Sequence, residues 1–502
     1  MIDPSVVAVA RDAEAAGYPD RAPFHPSEAF PEYPFRSELS GDANRCYGLV
    51  RQAFQLLGLD VAGYGSPQWN PLSEIIRPGD TVLIKPNLVR HFHGRGSDLR
   101  SVVTHGSMVR AVLDYVHLAL GDSGRVVVGD APLQTASFPA LVAACGLREL
   151  QQFYGGHGRR VEIVDFRREE AQLNRRREWT TKRELQGDPA GYRAVDLGPR
   201  SLLSPLGGQS GRFRVTDYQP GVMAAHHNEE THEYLIPRSV LDADVVISLP
   251  KMKTHRKVGI TAALKNLVGI NGHKDWLPHH RSGATGEGGD EYLHPSFWKR
   301  VGGRISERED TARSHRVREA YRLANRVVGR AIRHSGQDAY MEGSWYGNDT
   351  LWRTVLDLNR VLLYADRQGR LHDGVQRNLL VLVDGLIAGD GEGPLEPRER
   401  RCGLVIAGTR AVEVDTVVAG LMGFDFLKIP LIREGWSVRD YPVCGGELDA
   451  LTVRSNVPQW AGLAAGQAVD HLDFMPPSGW KGHIELDAVA RRPPATAALA
   501  VG

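Results

Sequence analysis

The sequence predicts an α/β protein: a mainly parallel sheet with flanking helices in Rossmann-like layers, plus a helical insertion. Three features point to it. Short runs rich in Val, Ile and Leu alternate with segments whose apolar residues recur at helical spacing, the pattern of βαβ units. Four apolar runs end in polar motifs, as strands do at the ligand-binding edge of an open sheet. One Arg-rich stretch breaks the alternation. At 502 residues the chain exceeds what one core usually holds, so two or three domains are expected.

The elements follow in order. SVVAVAR (5–11) reads as the first strand, before a Pro- and aromatic-rich surface stretch (18–36) and a helix in NRCYGLVRQAFQLLGL (44–59). The PGD turn introduces the strand TVLIKPNLV (81–89), and Thr104 is placed to cap a helix over 105–120. RVVVGDAP (125–132) is a buried strand, followed by a helix around FPALVAACGLRELQQFY and the strand RVEIVDF (160–166). From 167 to about 235 the pattern dissolves into polar sequence with weak strand signals. LDADVVISLP (241–250) restores a core strand, and GITAALKNLVGI (259–270) predicts a helix. Later come the helix WRTVLDLNRVLLYA, the strand NLLVLVDGLIAGDGEGP, the strand GLVIAGTR and the helix AVEVDTVVAGLMG.

This divides the chain into an N-terminal α/β region (1–281), an Arg-rich helical insertion (282–350), a C-terminal α/β region completing a cleft (351–475) and a tail (476–502) whose last dozen residues are expected to be disordered. The insertion has nine arginines between Arg304 and Arg333. An amphipathic helix with a solvated charged face accounts for them, as does a lid, a protein-docking helix or a contact with an anionic surface.

A formal net charge of +1 argues against a dedicated nucleic-acid binder, so any basic site is local. The four cysteines stand apart with no C-x-x-C pair, so neither an iron–sulfur cluster nor a cysteine-built zinc site is expected. The N-terminus has no signal-peptide pattern, and no apolar run is long enough to span a membrane. A cytoplasmic protein is the expectation.

The local site is evident. PKMKTHRKVGITAALKNLVGINGHKDWLPHHR, from Pro250 to Arg281, holds eleven Lys, Arg or His against a single acid, Asp275. It directly follows an apolar strand. The other strand ends are Lys85-Pro86-Asn87, Gly129-Asp130-Ala131-Pro132 and Asp384-Gly385. In a parallel sheet these ends share one edge, so motifs up to about 300 residues apart converge into one cleft. Lys251, Lys253 and His255 line its cationic side, with Lys85, Asn87 and His105. Thr261 and Lys265 share a helix face, with Asn266 beside them, and the predicted 259–270 helix aims its N-terminal amides at the edge. Crowded ammonium groups need an anion: a phosphate, a carboxylate or the protein's own carboxylates. Crowding also lowers lysine pKa values, which suits a base or an imine former. Lysines that merely reach solvent are the plain alternative.

Asp384, Asp390 and Glu392 in a Gly-rich loop, with Asp415 on the next helix, suit Mg²⁺ or Mn²⁺, general acid–base work, or ion pairs with the lysines. A divalent metal could equally be iron or nickel on these residues alone. Two histidine groups, His226/His227/His232 and His273/His279/His280, are further metal candidates. Phosphate-loop, dinucleotide and nucleophile-elbow motifs are absent.

Several segments, in order, resemble family 362 of the domains of unknown function: IKPNLV, the T-H-x-x-M-V-x-A-V helix start, VVVGDAP, DVVISLPKMKTH, T-x-A-L-K-N-L-V-G, VDGLIAGDGEGP and AVEVDTVVAGLMGFDFLKI. The resemblance spans roughly 80–430 without the insertion and implies a shared fold and cleft, but no established reaction. Some relatives carry ferredoxin-like iron–sulfur modules, whose cysteines this chain does not have. Where relatives show G-N-G-P, this chain has Gly391-Glu392-Gly393-Pro394. A looser likeness, by analogy and not by motif, is to the nickel-pincer lactate racemases, which combine histidines and a lysine in an α/β cleft.

The expected function is an enzyme acting on a small anionic carboxylate or phosphate metabolite, with a biosynthetic pathway as its expected setting. In it His255, Lys253, Lys265 and Asp130 are the catalytic candidates, and the reaction is an isomerisation, an elimination or a transfer. Two alternatives are a non-catalytic anion-binding or docking module, and a redox protein served by a separate ferredoxin.

Overall fold

The computed structural model describes residues 2–15, 17–96, 99–173, 179–216, 220–312, 314–334, 340–462 and 470–486. A ten-stranded sheet organises the chain. Its strands are β1 (Val6–Arg11), β2 (Thr81–Pro86), β3 (Arg125–Asp130), β4 (Val161–Asp165), β5 (Val245–Leu249), β6 (Lys251–His255), β7 (Gly259–Thr261), β8 (Asn378–Glu392), β9 (Glu396–Gly408) and β10 (Thr452–Ser455). The spatial order is β10-β1-β9-β8-β5-β2-β3-β4, with β6 beside the far half of β8 and β7 beside β6. β8, β5, β2, β3 and β4 run parallel, while β9 runs against both β8 and β1. The mainly parallel α/β architecture is therefore present.

Alternation along each strand feeds two apolar layers, as a sheet covered on both faces requires. Val82, Ile84, Val126, Val128, Val245 and Ile247 face the layer built with the helices Arg45–Leu57 and Gly106–Leu120. Leu83, Val127 and Val246 face the opposite layer, built with the helices Leu351–Tyr364 and Ala411–Met422. β1 and β10 close the same sheet as β8 and β9, so strands of both α/β regions expected from sequence lie in one sheet.

Several expectations are corrected. KMKTH is a strand, and the predicted 259–270 helix is strand β7, one helical turn (Ala263–Asn266) and a 3₁₀ turn (Leu267–Ile270). The Gly-rich DGLIAGDGE is the second half of a 15-residue strand, hairpinned to β9, which begins at Glu396 and so well before GLVIAGTR. Its glycines permit close approach: a Cβ at Gly393 would overlap the carbonyl of Thr254. The helix over 105–120 is capped by His105, whose ring accepts from Ser107 N, while Thr104 donates instead to Leu249 O. The 138–154 helix breaks at Gly146, held at φ +64°, into Phe138–Ala144 and Leu147–Gly156.

The 167–237 excursion forms two small antiparallel ribbons. The insertion contains a helical hairpin, Phe297–Thr311 and His315–His334, joined by the ion pair Arg322–Glu309 (2.9 Å). The tail is ordered as far as it is described, with Trp480 buried; its last dozen residues, 491–502, lie outside the described residues.

Candidate functional site

At the carboxyl edge of the parallel strands lies a cleft of about 620 Å³. It receives Lys85 from the end of β2 and Asn87 from just beyond it, Asp130 from β3, His255 from β6, Thr261 from β7, and Lys265 and Asn266 from the helical turn. Those seven candidates converge as the strand-end argument requires. The hairpin supplies Glu309 and Arg322 at the rim, and the β8–β9 turn supplies Pro394 to Glu396.

The floor is a tight polar network. Lys85 Nζ donates to Asp130 Oδ1 (2.6 Å) and to Asn266 Oδ1 (3.1 Å). Asp130 Oδ2 accepts from Leu88 N (2.6 Å). Asn266 in turn donates to Lys85 O and Ser248 Oγ. A Cβ at Gly269 would overlap the Asp130 carboxylate, so glycine there lets the turn close over the pair. Burial pulls Lys85 below and Asp130 above their ordinary values, opposed in each by the partner's charge.

Above this floor the polar groups are unsatisfied. Thr261 Oγ1, Asn87 Oδ1 and Lys257 Nζ are buried without a hydrogen-bond partner among the described residues. Lys265 is half-buried and makes no hydrogen bond or ion pair among them. Burial, then the charges of Lys85 and Lys257, push Lys265 down to about 7 against the pull of Asp130. Lys257 is pushed down to about 8, chiefly by burial. His255 lies well below its usual value through burial and the charges of Lys265 and Arg256. Its Nδ1 accepts from Lys257 N (3.1 Å), which leaves the proton of the neutral ring on Nε2. Buried polar atoms normally find partners, and Thr261 Oγ1, Asn87 Oδ1 and Lys257 Nζ find none among the described residues.

The other seven candidates sit elsewhere. Lys251 is sealed in the core, donating to Asp384 Oδ2 (3.0 Å) and Tyr18 Oη (2.6 Å). Tyr18 donates to Asp384 Oδ1 (2.5 Å), and His105 N donates to Oδ2 (3.0 Å). The His105 ring stacks on Tyr18 at 4.2 Å. Lys253 is buried, donates to Val102 O, and lies well below its usual value through burial and the charges of Lys251 and Lys265. Asp390 is paired with Arg398 (2.8 Å), and Glu392 accepts from Ser478 N (2.9 Å).

Asp415 corrects the helix-terminus argument. Its carboxylate accepts from Ala263 N (2.6 Å) and Leu264 N (3.0 Å), so the amides thought to face an external anion are already met. Burial raises Asp415 to about 7. The four carboxylates proposed for a metal are thus each engaged separately and are not brought together.

Among the described residues, one group has metal-like spacing: Glu169, His273 and Asp275. Lys182 Nζ lies 3.4 Å from Glu169 and 3.2 Å from Asp275, in the place a cation would take. His226 pairs with Glu233 (2.6 Å) and stacks on Trp276, while His227 and His232 are buried beside each other. His279 lines the cleft.

Sequence reasoning passed over Arg90, Arg256, Lys257 and Lys274, all lining the cleft. Lys257 continues the alternation of Lys251, Lys253 and His255 and was within reach of the same reasoning. Arg90 and the 394–396 turn are set by tertiary packing.

Fold and site together define an α/β protein with a cationic cleft at the carboxyl edge of its parallel strands. The chain belongs to the family described as a domain of unknown function, DUF362, which matches residues 82–187 and 205–420, more than half its length. A crystal structure of a Thermotoga maritima protein solved by a structural genomics consortium is similar at 8% identity, over 67% of this chain and 54% of that one, with a TM-score of 0.26. So slight a likeness carries no inference, and this chain spans only about half of that protein. A comparison with curated proteins gives no match. No described helix is long and apolar enough to cross a membrane.

Proposed function

We propose that the protein is an enzyme acting on a small carboxylate or phosphate metabolite in the 620 Å³ cleft, with Lys265 as its proton-transferring group. The observation that supports this is the isolation of Lys265: a half-buried amine without an ionic partner among the described residues, pushed to about 7. A base so placed is neutral often enough near pH 7 to accept a proton, and its conjugate acid can return one. Lys257, Thr261 Oγ1 and the Nε2–H of His255 are the donors for the substrate anion and for negative charge that develops on it. Removal of a proton beside a carbonyl or carboxylate is the step shared by isomerisation and elimination, the two reactions that fit this set best. No protein-held metal is required by this reading.

A second reading has its own support. Five of the eleven exposed large apolar side chains among the described residues lie on the hairpin: Phe297, Trp298, Val317, Leu323 and Val327. Exposed arginines such as Arg330 and Arg333 accompany them. A docking module for a protein or an anionic surface would use this face.

Amine labelling tests the first reading. Trinitrobenzenesulfonate, an anionic reagent for neutral amines, is expected to modify Lys265 first, with a rate that climbs through about pH 7, and inorganic phosphate is expected to protect it. Labelling of Lys265 only at the alkaline pH of ordinary lysines, with no protection by phosphate or small carboxylates, would overturn it.

A further inference from the structure

A second cavity of about 750 Å³ adjoins the cleft, between the 280–292 segment and the first hairpin helix. Val215, Thr216 and Glu309 line both cavities, so the two share that wall. Their charge is opposite in character. The inner cleft is dominated by Lys and Arg, whereas six carboxylates and four guanidinium groups line the outer chamber.

Three of those six carboxylates are paired with arginines. Glu287 is held by Arg300 (2.6 Å), Glu307 by Arg214 (2.5 Å) and Glu309 by Arg322 (2.9 Å). Among the described residues, Glu291 and Glu342 have no hydrogen-bonded cation. Glu291 is buried, accepts from Gly283 N (3.1 Å) and is raised to about 7 by burial and by the neighbouring charge of Glu342. Glu342 accepts from Thr216 Oγ1 (3.0 Å), and its Oε2 stands 3.9 Å from Lys257 Nζ, too far for a hydrogen bond. Its backbone is held at φ +55°, a costly conformation for a non-glycine residue. His280 lines the same chamber and has a buried Nδ1 without a hydrogen-bond partner among the described residues. The boundary between the chambers thus holds an ammonium and a carboxylate that face each other without bonding, with a second carboxylate close by.

We infer that the two chambers bind one bipolar substrate, its phosphate or carboxylate on Lys257 and Thr261 and a positively charged amine on Glu342 and Glu291. Such a molecule replaces the loose 3.9 Å pair with two direct charge-assisted contacts, one on each side. The amine also lets Glu291 ionise beside Glu342, which that pair resists when no cation is present. This inference rests on the anion-binding reading of the inner cleft and specifies its substrate class: amino-phosphates or amino acids rather than simple phosphates or carboxylates.

Calorimetry on the full chain with matched probes separates the two ideas. The phosphate pair is ethyl phosphate and aminoethyl phosphate; the carboxylate pair is butyrate and its ω-amino derivative. The amine is expected to tighten binding by about tenfold or more in at least one pair, as a well-placed charge-assisted bond supplies. Glu342→Gln and Glu291→Gln are expected to erase that gain while leaving the amine-free probe as tight or tighter. If the amine-free probes bind and the amine adds nothing, the inference falls and the anion site stands. If no probe binds, both fall. Because the comparison between probes is made first on the unaltered protein, a variant that misfolds does not obscure the outcome.

Discussion

Two lysine–aspartate pairs sit at the carboxyl edge of this sheet and meet opposite fates. Lys85–Asp130 (2.6 Å) forms the floor of an open cleft, while Lys251–Asp384 (3.0 Å) is shut inside the core. The lysines sit one residue inside the end of β2 and at the start of β6. The difference lies in what completes each pair. At Asp384, both oxygens and the lysine are finished by Tyr18 and by the amide of His105, with the two rings stacked over them. At Asp130 the network ends in Asn266 and Asn87, beyond which Thr261, Lys257 and Lys265 have donors or acceptors to spare. A pair with every valence used is a strut, and a pair bordered by unspent ones is the floor of a site. The ion pair alone does not tell the two apart.

The largest effect that would break this contrast is expected at the sealed pair. Asp384→Ala leaves Lys251 buried without its counter-ion and should cost about 3–5 kcal/mol of stability, read by urea unfolding. The double variant Lys251→Met with Asp384→Leu should recover much of that loss. Unaltered stability in Asp384→Ala would mean that the cluster is not sealed. Tyr18→Phe removes one hydroxyl that serves Lys251, Asp384 and Ile387 N. It should cost roughly 1–3 kcal/mol and leave anion binding in the cleft intact.

The pH profile sharpens the comparison at the open site. Lys265 at about 7 and Lys257 at about 8 hold an anion best when protonated. The complex therefore binds more protons than the free protein, and affinity for sulfate, whose own charge is constant over this range, is full on the acid side and falls as pH rises through 7 and 8. In Lys265→Met the remaining fall is expected near 8 alone, with the fold's stability unchanged or improved. A flat profile in the unaltered protein would contradict the assignment. The smallest effect is expected for Thr261→Val, which removes one hydroxyl of the cleft: about three- to tenfold in phosphate affinity, equivalent to roughly 0.5–1.5 kcal/mol.

How far the sequence reached follows the same divide. Apolar runs and their spacing revealed the strands, since burial on both faces leaves a continuous Val/Ile/Leu signature, and the convergence of strand ends follows from topology alone. Lys85, Asp130, His255, Thr261 and Lys265 were recoverable in this way. What local pattern could not reveal was which lysine would be covered. Tyr18 comes from a Pro- and aromatic-rich stretch that carries no periodicity, outside the region matched by the family. The carboxylates of DGLIAGDGEGP looked like one loop because glycine usually marks a turn. Here glycine lets β8 pass close to its neighbours, and the extended backbone spreads Asp384, Asp390 and Glu392 along the second half of a 15-residue strand instead of gathering them. The helix expected over 259–270 failed because period alone does not distinguish a buried strand and turn from a short buried helix.

Asp415 ties the whole arrangement to a distant part of the chain. The helical turn that presents Lys265 begins at Ala262, which has no capping side chain; its first amides are met by a carboxylate about 150 residues later in sequence. Every lysine that lines the cleft is therefore encoded before residue 275, yet the aim of the central one is encoded after residue 410. A truncated chain ending short of the Ala411–Met422 helix would keep the cleft's lysines and lose their orientation. Complementation by the missing C-terminal fragment, supplied in trans, would have to restore ligand binding through Asp415 as well as refold the sheet.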